Sequence, residues 1–173
     1  MTHVWTIGHS THTIQDFSSL LEQNAIEVVA DVRRFPGSRR LPQFQSDALA
    51  AELAARGIGY TWIAALGGRR RPDASSINTG WRHPAFRAYA DHIATEEFAD
   101  GLFELLMIAE GARTAIMCAE VLWWRCHRRL ISDVLTSLGV RVEHIMGDNK
   151  VELHKIAPPA HIVDGAISYT MSS

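Results

Sequence analysis

One short stretch holds most of the side chains able to do chemistry: Met117-Cys118-Ala119-Glu120-Val121-Leu122-Trp123-Trp124-Arg125-Cys126-His127-Arg128-Arg129. Cys118 is expected at the junction of a strand end and a helix N-terminus. There the helix macrodipole and neighbouring arginines favour thiolate, the nucleophilic form of cysteine. The competing role is a buried structural thiol, a common fate of free cysteine. At 100° per residue on a helix from about Leu122 to Leu138, His127 shares a face with Trp123, Leu130, Val134 and Leu138 and points inward. Two roles fit such a histidine: a core ring satisfied by a backbone carbonyl, or a general base beside Cys118. Arg125 and Arg129 fall on the far side of that helix, and Arg128 on one flank. Cys118, Cys126, His127, His9 and Glu120 are also metal-ligand types, but the Cys-x7-Cys-His spacing does not match the paired spacing of structural zinc sites. Metal and cofactor stay unassigned.

These groups need elements to position them. Short apolar runs at Val4–Ile7, Ile26–Val32, Ile58–Ile63, Arg113–Met117, Val140–Ile145 and Val151–Ile156 predict strands. Between them lie helical patterns: one capped by Thr13, one capped by Ser46 through Ala55, one opened by Pro84 through Ile93, one over about 96–110, and that from about Leu122. Alternation of strand and helix with continuously apolar strands predicts a single α/β domain over 1–157. Its core is a mainly parallel sheet of five or six strands with helices on both faces. A weakly patterned tail, 158–173, follows. Residues 64–83 form a long irregular segment, which is uncommon in a compact domain unless functional.

Ligands of open parallel sheets gather at the carboxyl ends of the strands. His9 and Ser10 follow the first strand, and Asp31, Arg33 and Arg34 the second. Gly67, Gly68, Arg69, Arg70, Asn78 and Trp81 follow the third, and Cys118 and Glu120 the fourth. This convergence predicts a catalytic set of Cys118, Glu120, His127, Asp31 and His9. Arg33, Arg69, Arg70, Asn78, Trp81, Arg125 and Arg128 are expected to bind substrate.

Composition bounds the class of partner. With 47% apolar and 21% charged residues among 173, the chain is neither disordered nor fibrous. No apolar run reaches the ~18 residues of a membrane span, so no membrane partner is expected. Two cysteines are too few for a disulfide scaffold, and a reducing cytoplasm is the expected location. Fifteen of the 17 basic residues are arginine, whose planar fork matches phosphate and carboxylate. Residues 33–87 carry ten arginines against three acids, while residues 88–122 carry seven acids against Arg113. The arginine cluster fits an anionic ligand; the alternative is pairing with the acidic block inside the protein. An isoelectric point of about 6.5 is low for a duplex binder, so a small anion is as well supported as a nucleic acid.

Two resemblances add to this. Asp31-Val32-Arg33, Cys118 with its following helix, and Ser137-Leu138-Gly139-Val140 resemble the layout of rhodanese-type sulfurtransferases. The chain departs from them in Ala119-Glu120-Val121-Leu122-Trp123-Trp124, which lacks the small residues an amide cradle for an anion needs. A closer match covers about 4–155. Thr6-Ile7-Gly8-His9-Ser10, Asp31-Val32-Arg33 with Pro36 and Ser38, and Leu66-Gly67-Gly68-Arg69-Arg70 belong to it. So do Asn78, Gly80, Trp81, Phe86-Arg87-Ala88-Tyr89-Ala90-Asp91, Met117-Cys118-Ala119-Glu120 and Cys126-His127-Arg128-Arg129. Together these resemble the domain-of-unknown-function 488 family. That resemblance implies that His9, Asp31, Arg33, Cys118, Glu120, Cys126, His127 and Arg128 form one motif set, without assigning their roles.

Three functions follow from these residues. The first is an enzyme, hydrolase or transferase, acting on nucleic acid or a nucleotide-like anion. The second is thiol or sulfur-transfer chemistry at Cys118, and the third a non-catalytic module for a phosphorylated ligand. Oligomeric state has no signature here.

Overall fold

A computed structural model describes residues 1–171. The strands are β1 (His3–Gly8), β2 (Val28–Asp31), β3 (Gly59–Trp62), β4 (Thr114–Cys118), β5 (Arg141–Gly147) and β6 (Lys150–Leu153). The helices are α1 (Ile14–Gln23), α2 (Ser46–Ala54), α3 (Pro84–Ile93), α4 (Glu96–Gly111) and α5 (Arg128–Ser137). The six strands form one sheet in the order β3-β2-β4-β1-β5-β6, parallel except for β6 against β5. This is the α/β architecture that the alternating pattern predicts.

Local chemistry sets the helix starts. The Thr13 hydroxyl accepts the Asp16 N–H at 3.0 Å, and the Thr95 hydroxyl accepts that of Phe98 at 3.2 Å. Pro84 occupies the first helical position of α3, where its missing N–H costs nothing. Ser46, expected as a cap, is instead the first helical residue, and no side chain caps α2.

Alternation along the strands splits the core in two. Trp5, Ile7, Val29 and Met117 pack with Phe17, Leu21, Leu49 and Leu53 of α1 and α2. Val4, Ala30 and Ile116 pack with Tyr89, Phe98, Leu105, Leu130 and Leu135 of α3, α4 and α5. After β1 the chain leaves over the first face toward β2, and after β4 it leaves over the second toward β5. The two central strands therefore diverge at their carboxyl ends, opening the crevice where open α/β sheets bind ligands.

That crevice is tight at its base. The two strands stay joined past their ends, with the His9 N–H on the Cys118 carbonyl (2.9 Å) and the Ser10 N–H on that of Ala119 (3.0 Å). The backbone of Glu120 and Val121 then crosses directly over Gly8, where a Cβ would lie 1.9 Å from the Glu120 oxygen.

Two expectations change. The helix from Leu122 is broken: Trp123–Arg125 make one 3-10 turn, Cys126 is extended (φ −137°, ψ 157°), and α5 starts only at Arg128. The Cys126 sulfur accepts the Arg128 N–H at 3.3 Å, capping the shorter helix. Trp123 is therefore not on α5, and Leu138 is exposed rather than inward. The weakly patterned tail also has structure. Strands β7 (His161–Val163) and β8 (Ala166–Ser168) form a hairpin around Asp164-Gly165, both with positive φ, and deliver Tyr169 into the core.

Gly8→Ala is expected to lower the unfolding free energy by about 1–3 kcal/mol or more, because backbone must give way. Gly37→Ala, with nothing within 4 Å of the added carbon, is expected to stay within about 0.5 kcal/mol. Urea denaturation of the two variants checks both.

Candidate functional site

A cavity of about 390 Å³ opens at the carboxyl ends of the central strands. His9, Arg33, Arg34, Phe35, Arg40, Gly68, Arg69, Cys118, Glu120, Cys126 and His127 line it, with smaller groups between. A larger hollow of about 540 Å³ lies between Met1–Trp5 and Ala109–Arg113, at the other end of the strands. It contains no thiol and none of these strand-end groups.

The floor is a pair of thiols. Cys118 ends β4 and Cys126 precedes α5, and their sulfurs stand 2.8 Å apart, both free. His127 Nδ1 lies 3.6 Å from the Cys126 sulfur. Its Nε2 lies 2.7 Å from the Val32 carbonyl, and because a carbonyl only accepts, Nε2 carries the proton there. Nδ1 is therefore the nitrogen that faces Cys126 and can take its proton. His127 thus has the backbone-carbonyl partner expected of a core ring, while its other nitrogen faces Cys126 rather than the Cys118 beside which a general base is expected. Gly68 makes room for this ring: a Cβ there would come within 3.0 Å of Nδ1.

Arg128 sits beneath the thiols, 1% exposed. Its Nε donates to the Cys118 sulfur (3.0 Å), Nη1 to the Thr6 hydroxyl (3.1 Å) and Nη2 to the Glu120 carbonyl (2.5 Å). Burial opposes ionisation of Cys126, but the hydrogen bond from Cys118 and the charges of His127 and Arg128 hold its thiol well below the ordinary cysteine range. Burial, then the hydrogen bond and charge of Cys126, push the Cys118 thiol up. Both directions favour negative charge on Cys126, with the Cys118 S–H as the donor between the two sulfurs.

A polar chain continues from Arg128 into the core. Thr6 faces His144 across the β1–β5 register, with its hydroxyl 2.6 Å from Nδ1. His144 Nε2 lies 2.9 Å from His154 Nδ1, and His154 Nε2 2.7 Å from the Asp133 carboxylate. Tyr169 donates to the second oxygen of Asp133 at 2.7 Å. Trp123 stacks flat on His144, centroids 4.2 Å apart. Burial, then His154 and Arg128, depress the His144 pKa to about 2, so the ring stays neutral.

The other sequence-predicted residues divide. His9 lines the cavity, its ring stacked on Phe44 at 4.3 Å, its Nδ1 donating to the Ser10 carbonyl and its Nε2 3.4 Å from Arg33. Burial lowers its pKa. Asp31 is fully buried behind Arg33, which grips it through Nε (2.9 Å) and Nη2 (2.7 Å), while Tyr60 donates to it at 2.5 Å. These bonds occupy the carboxylate and make it a brace for the loop after β2. The Glu120 carboxylate is exposed at the cavity, holding the Leu122 N–H at 3.3 Å.

Arg70 turns away to Glu97 and to the carbonyls of Ala64, Ala65 and Gly67, an instance of the arginine-rich segment pairing with the acidic block. Asn78 binds Asp91, Trp81 is buried in the core under Arg129, and Arg125 is exposed outside the cavity lining. Arg69, at φ 55°, does line the cavity. Arg34 and Arg40, both in the arginine-rich segment, join it although neither stood among the predicted binders. Among the described residues none of Arg34, Arg40 and Arg69 has an acidic partner within salt-bridge distance. Three cations thus face the cavity without a salt-bridge partner, and the Glu120 carboxylate is the acid that shares it. Among the described residues no three His, Cys, Asp or Glu side chains are grouped to hold a metal ion, and no helix is long and apolar enough to cross a membrane.

The family model described as Domain of unknown function DUF488 matches residues 13–135, which include both thiols, His127, Arg128 and the cavity arginines. No curated protein and no solved structure matches the chain.

Carboxamidomethylation of Cys126 is expected to be nearly independent of pH from about 6.5 to 8, where an ordinary thiol gains about tenfold per unit. His127→Gln, which keeps a donor for Val32 but loses Nδ1, is expected to restore the steep pH dependence. Peptide-resolved alkylation rates check both.

Folding stability is expected to fall on acidification. The unfolded chain protonates His144 near 6.5 and the folded one does not, so this contribution is complete above that value and lost below it. At about 1.4 kcal/mol per unit, His144 alone removes about 2 kcal/mol by pH 5. Urea midpoints measured from about pH 8 to 5 test the slope.

Proposed function

The chain belongs to the DUF488 family, whose description assigns no activity, and we propose that this protein is a thiol-dependent enzyme for a small anionic substrate. Cys126 is the nucleophile, His127 its proton partner, and Arg34, Arg40 and Arg69 the clamp for the substrate's negative charge. The observation that carries this reading is the Cys126–His127 contact, with Nε2 committed to Val32 and Nδ1 left for the sulfur. A nucleophile beside a base that a third group orients is the general arrangement of covalent catalysis.

In the reaction the thiolate forms a bond to the electrophilic atom of the substrate. The bond to the leaving group breaks, its electron pair departs with that group, and the group takes the proton from His127 Nδ1. The adduct on Cys126 then passes to a second acceptor. Arg128, held beneath both sulfurs, keeps positive potential on the reacting atom throughout.

A small anion is better supported than a polymer. The cavity is compact and no tryptophan lines it: Trp81 is in the core, Trp123 stacks on His144, and the exposed Trp62 and Trp124 lie outside the lining. A phosphate or sulfonate terminus suits three convergent guanidiniums.

Two alkylating reagents of equal size test the reading. Anionic iodoacetate is expected to modify Cys126 faster than neutral iodoacetamide, reversing their order on a free thiol. Replacing Arg34 and Arg69 by Gln is expected to cut that preference by about fivefold per charge, the effect of ~1 kcal/mol of attraction. A Cys126 no more reactive than a free thiol, or no iodoacetate preference in the parent protein, overturns the proposal.

A further inference from the structure

The nucleophile described above uses one thiol, yet two meet in the cavity. Their sulfurs are separated by 2.8 Å, against about 2.05 Å in a disulfide bond. Covalent closure needs a movement of less than 1 Å. Both sulfurs line the same cavity, so a group attached to Cys126 arrives within reach of Cys118. Arg128 Nε donates to Cys118 at 3.0 Å, placing a cation where a thiolate would form if that thiol gave up its proton.

The second thiol restricts which adducts make sense. A carbon or phosphorus centre on Cys126 presents that centre, not the Cys126 sulfur, to an incoming nucleophile. Its own sulfur becomes the electrophile when Cys126 carries a sulfur–sulfur bond or the hydroxyl of a sulfenic acid, and this is the atom Cys118 faces; a neutral peroxide gains nothing from the three guanidiniums at the entrance, whereas an anion with a sulfur–sulfur bond does. Resting on the reading of Cys126 as nucleophile, we propose that Cys118 is its resolving thiol. The substrate is then a small anion with a cleavable sulfur–sulfur bond.

With thiosulfate as the simplest member of that class, the steps balance. The Cys126 thiolate attacks the outer sulfur, the sulfur–sulfur bond breaks with its electron pair on sulfite, and Cys126 becomes a persulfide anion. The Cys118 proton moves to the terminal sulfur of that persulfide. The Cys118 thiolate then attacks the Cys126 sulfur, a Cys118–Cys126 disulfide forms, and hydrosulfide leaves. A low-molecular-weight thiol supplies the two electrons that reduce the disulfide and is itself oxidised to its disulfide. Arg34, Arg40 and Arg69 bind the sulfonate end in the first step and lose their anion when sulfite departs.

The test is a single turnover of the fully reduced chain with thiosulfate, followed by sulfite and hydrosulfide assays and by mass spectrometry of the intact chain and its peptides. The expected result is one sulfite and one hydrosulfide per chain, a mass lower by two hydrogens, and a peptide joining Cys118 to Cys126. Cys118→Ser is expected to stop at a persulfide on Cys126, a mass higher by one sulfur, with no hydrosulfide. Cys126→Ser is expected to release neither product. The wild-type mass change needs no variant, so it decides the matter even if a substitution prevents folding. A stable wild-type persulfide without a disulfide overturns the resolving role. No reaction with thiosulfate or with an organic persulfide, in a protein whose Cys126 still shows fast, iodoacetate-selective alkylation, overturns the substrate class while leaving the thiol enzyme standing. An inert Cys126 overturns both.

Discussion

The guanidinium of Arg128 is the constraint on which this structure turns. It is a full positive charge 1% exposed to solvent, and such a charge persists only where every donor is met and a counter-charge lies close. Nε finds the Cys118 sulfur, Nη2 the Glu120 carbonyl, and Nη1 the Thr6 hydroxyl. Thr6 accepts from Arg128, so its own hydrogen goes to His144 Nδ1. His144 then donates through Nε2 to His154 Nδ1, and His154 through Nε2 to Asp133. The dipoles run one way, from the cation to the buried carboxylate. The thiolate of Cys126 lies against the same arginine's backbone N–H, 3.3 Å away. Removing any member strands a neighbour in the core, which typically costs more than the lost bond.

That constraint explains features of the backbone that would otherwise be odd. Glu120 must bring its carbonyl down to Arg128, so its backbone passes over β1 at a distance only glycine tolerates, and residue 8 is glycine. Cys126 must lie beside Cys118, so the chain cannot enter a helix at Leu122 and spends residues 123–126 in a tight turn and an extended residue. Asp133 needs a donor for each oxygen. His154, just beyond β6, and Tyr169, just beyond the terminal hairpin, supply them. The last stretch of the described chain thus reaches the site from behind, through α5.

Much of the fold was legible because strands buried on both faces leave continuous apolar runs, and Pro84 and Thr13 mark helix starts by simple chemistry. The same reading gathers His9, Arg33, Cys118 and Glu120 at carboxyl ends of strands, and these residues line one cavity. The division of labour between the thiols was not legible. Trp123, His127, Leu130 and Val134 repeat at helical spacing, and this periodicity concealed the break that puts Cys126, not Cys118, at the start of α5. Arg128 on the flank of a longer helix reads as a substrate-binding cation, whereas on the first turn of the shorter one it points into the core. The hairpin at Asp164-Gly165 did carry a sequence signal, the Asp-Gly pair, but two three-residue strands around it give too little alternation to weigh. Asn78 and Trp81 belong to an irregular segment whose long-range partners, Asp91 and Tyr169, no local pattern names.

Burial and ionisation pull Cys126 in opposite directions, and the balance between them determines what the site can do. Desolvation alone would keep the thiol protonated and inert. The site counters this without opening to solvent, by bringing the backbone N–H of Arg128, the ring of His127 and the S–H of Cys118 onto one sulfur, with the Arg128 guanidinium close by on Cys118. A thiolate made this way carries little water to shed before it attacks, yet it is partnered on several sides and approachable only from the cavity. At that approach stand Arg34, Arg40 and Arg69, which have no acidic partners of their own among the described residues. On the proposed reading, neutral molecules gain nothing from them, while an anion both neutralises the rim and delivers its reactive end to the sulfur. On that reading, selectivity for charge at the entrance and reactivity at the floor have related origins: Arg128 has its partners within the fold, while Arg34, Arg40 and Arg69 take theirs from the substrate.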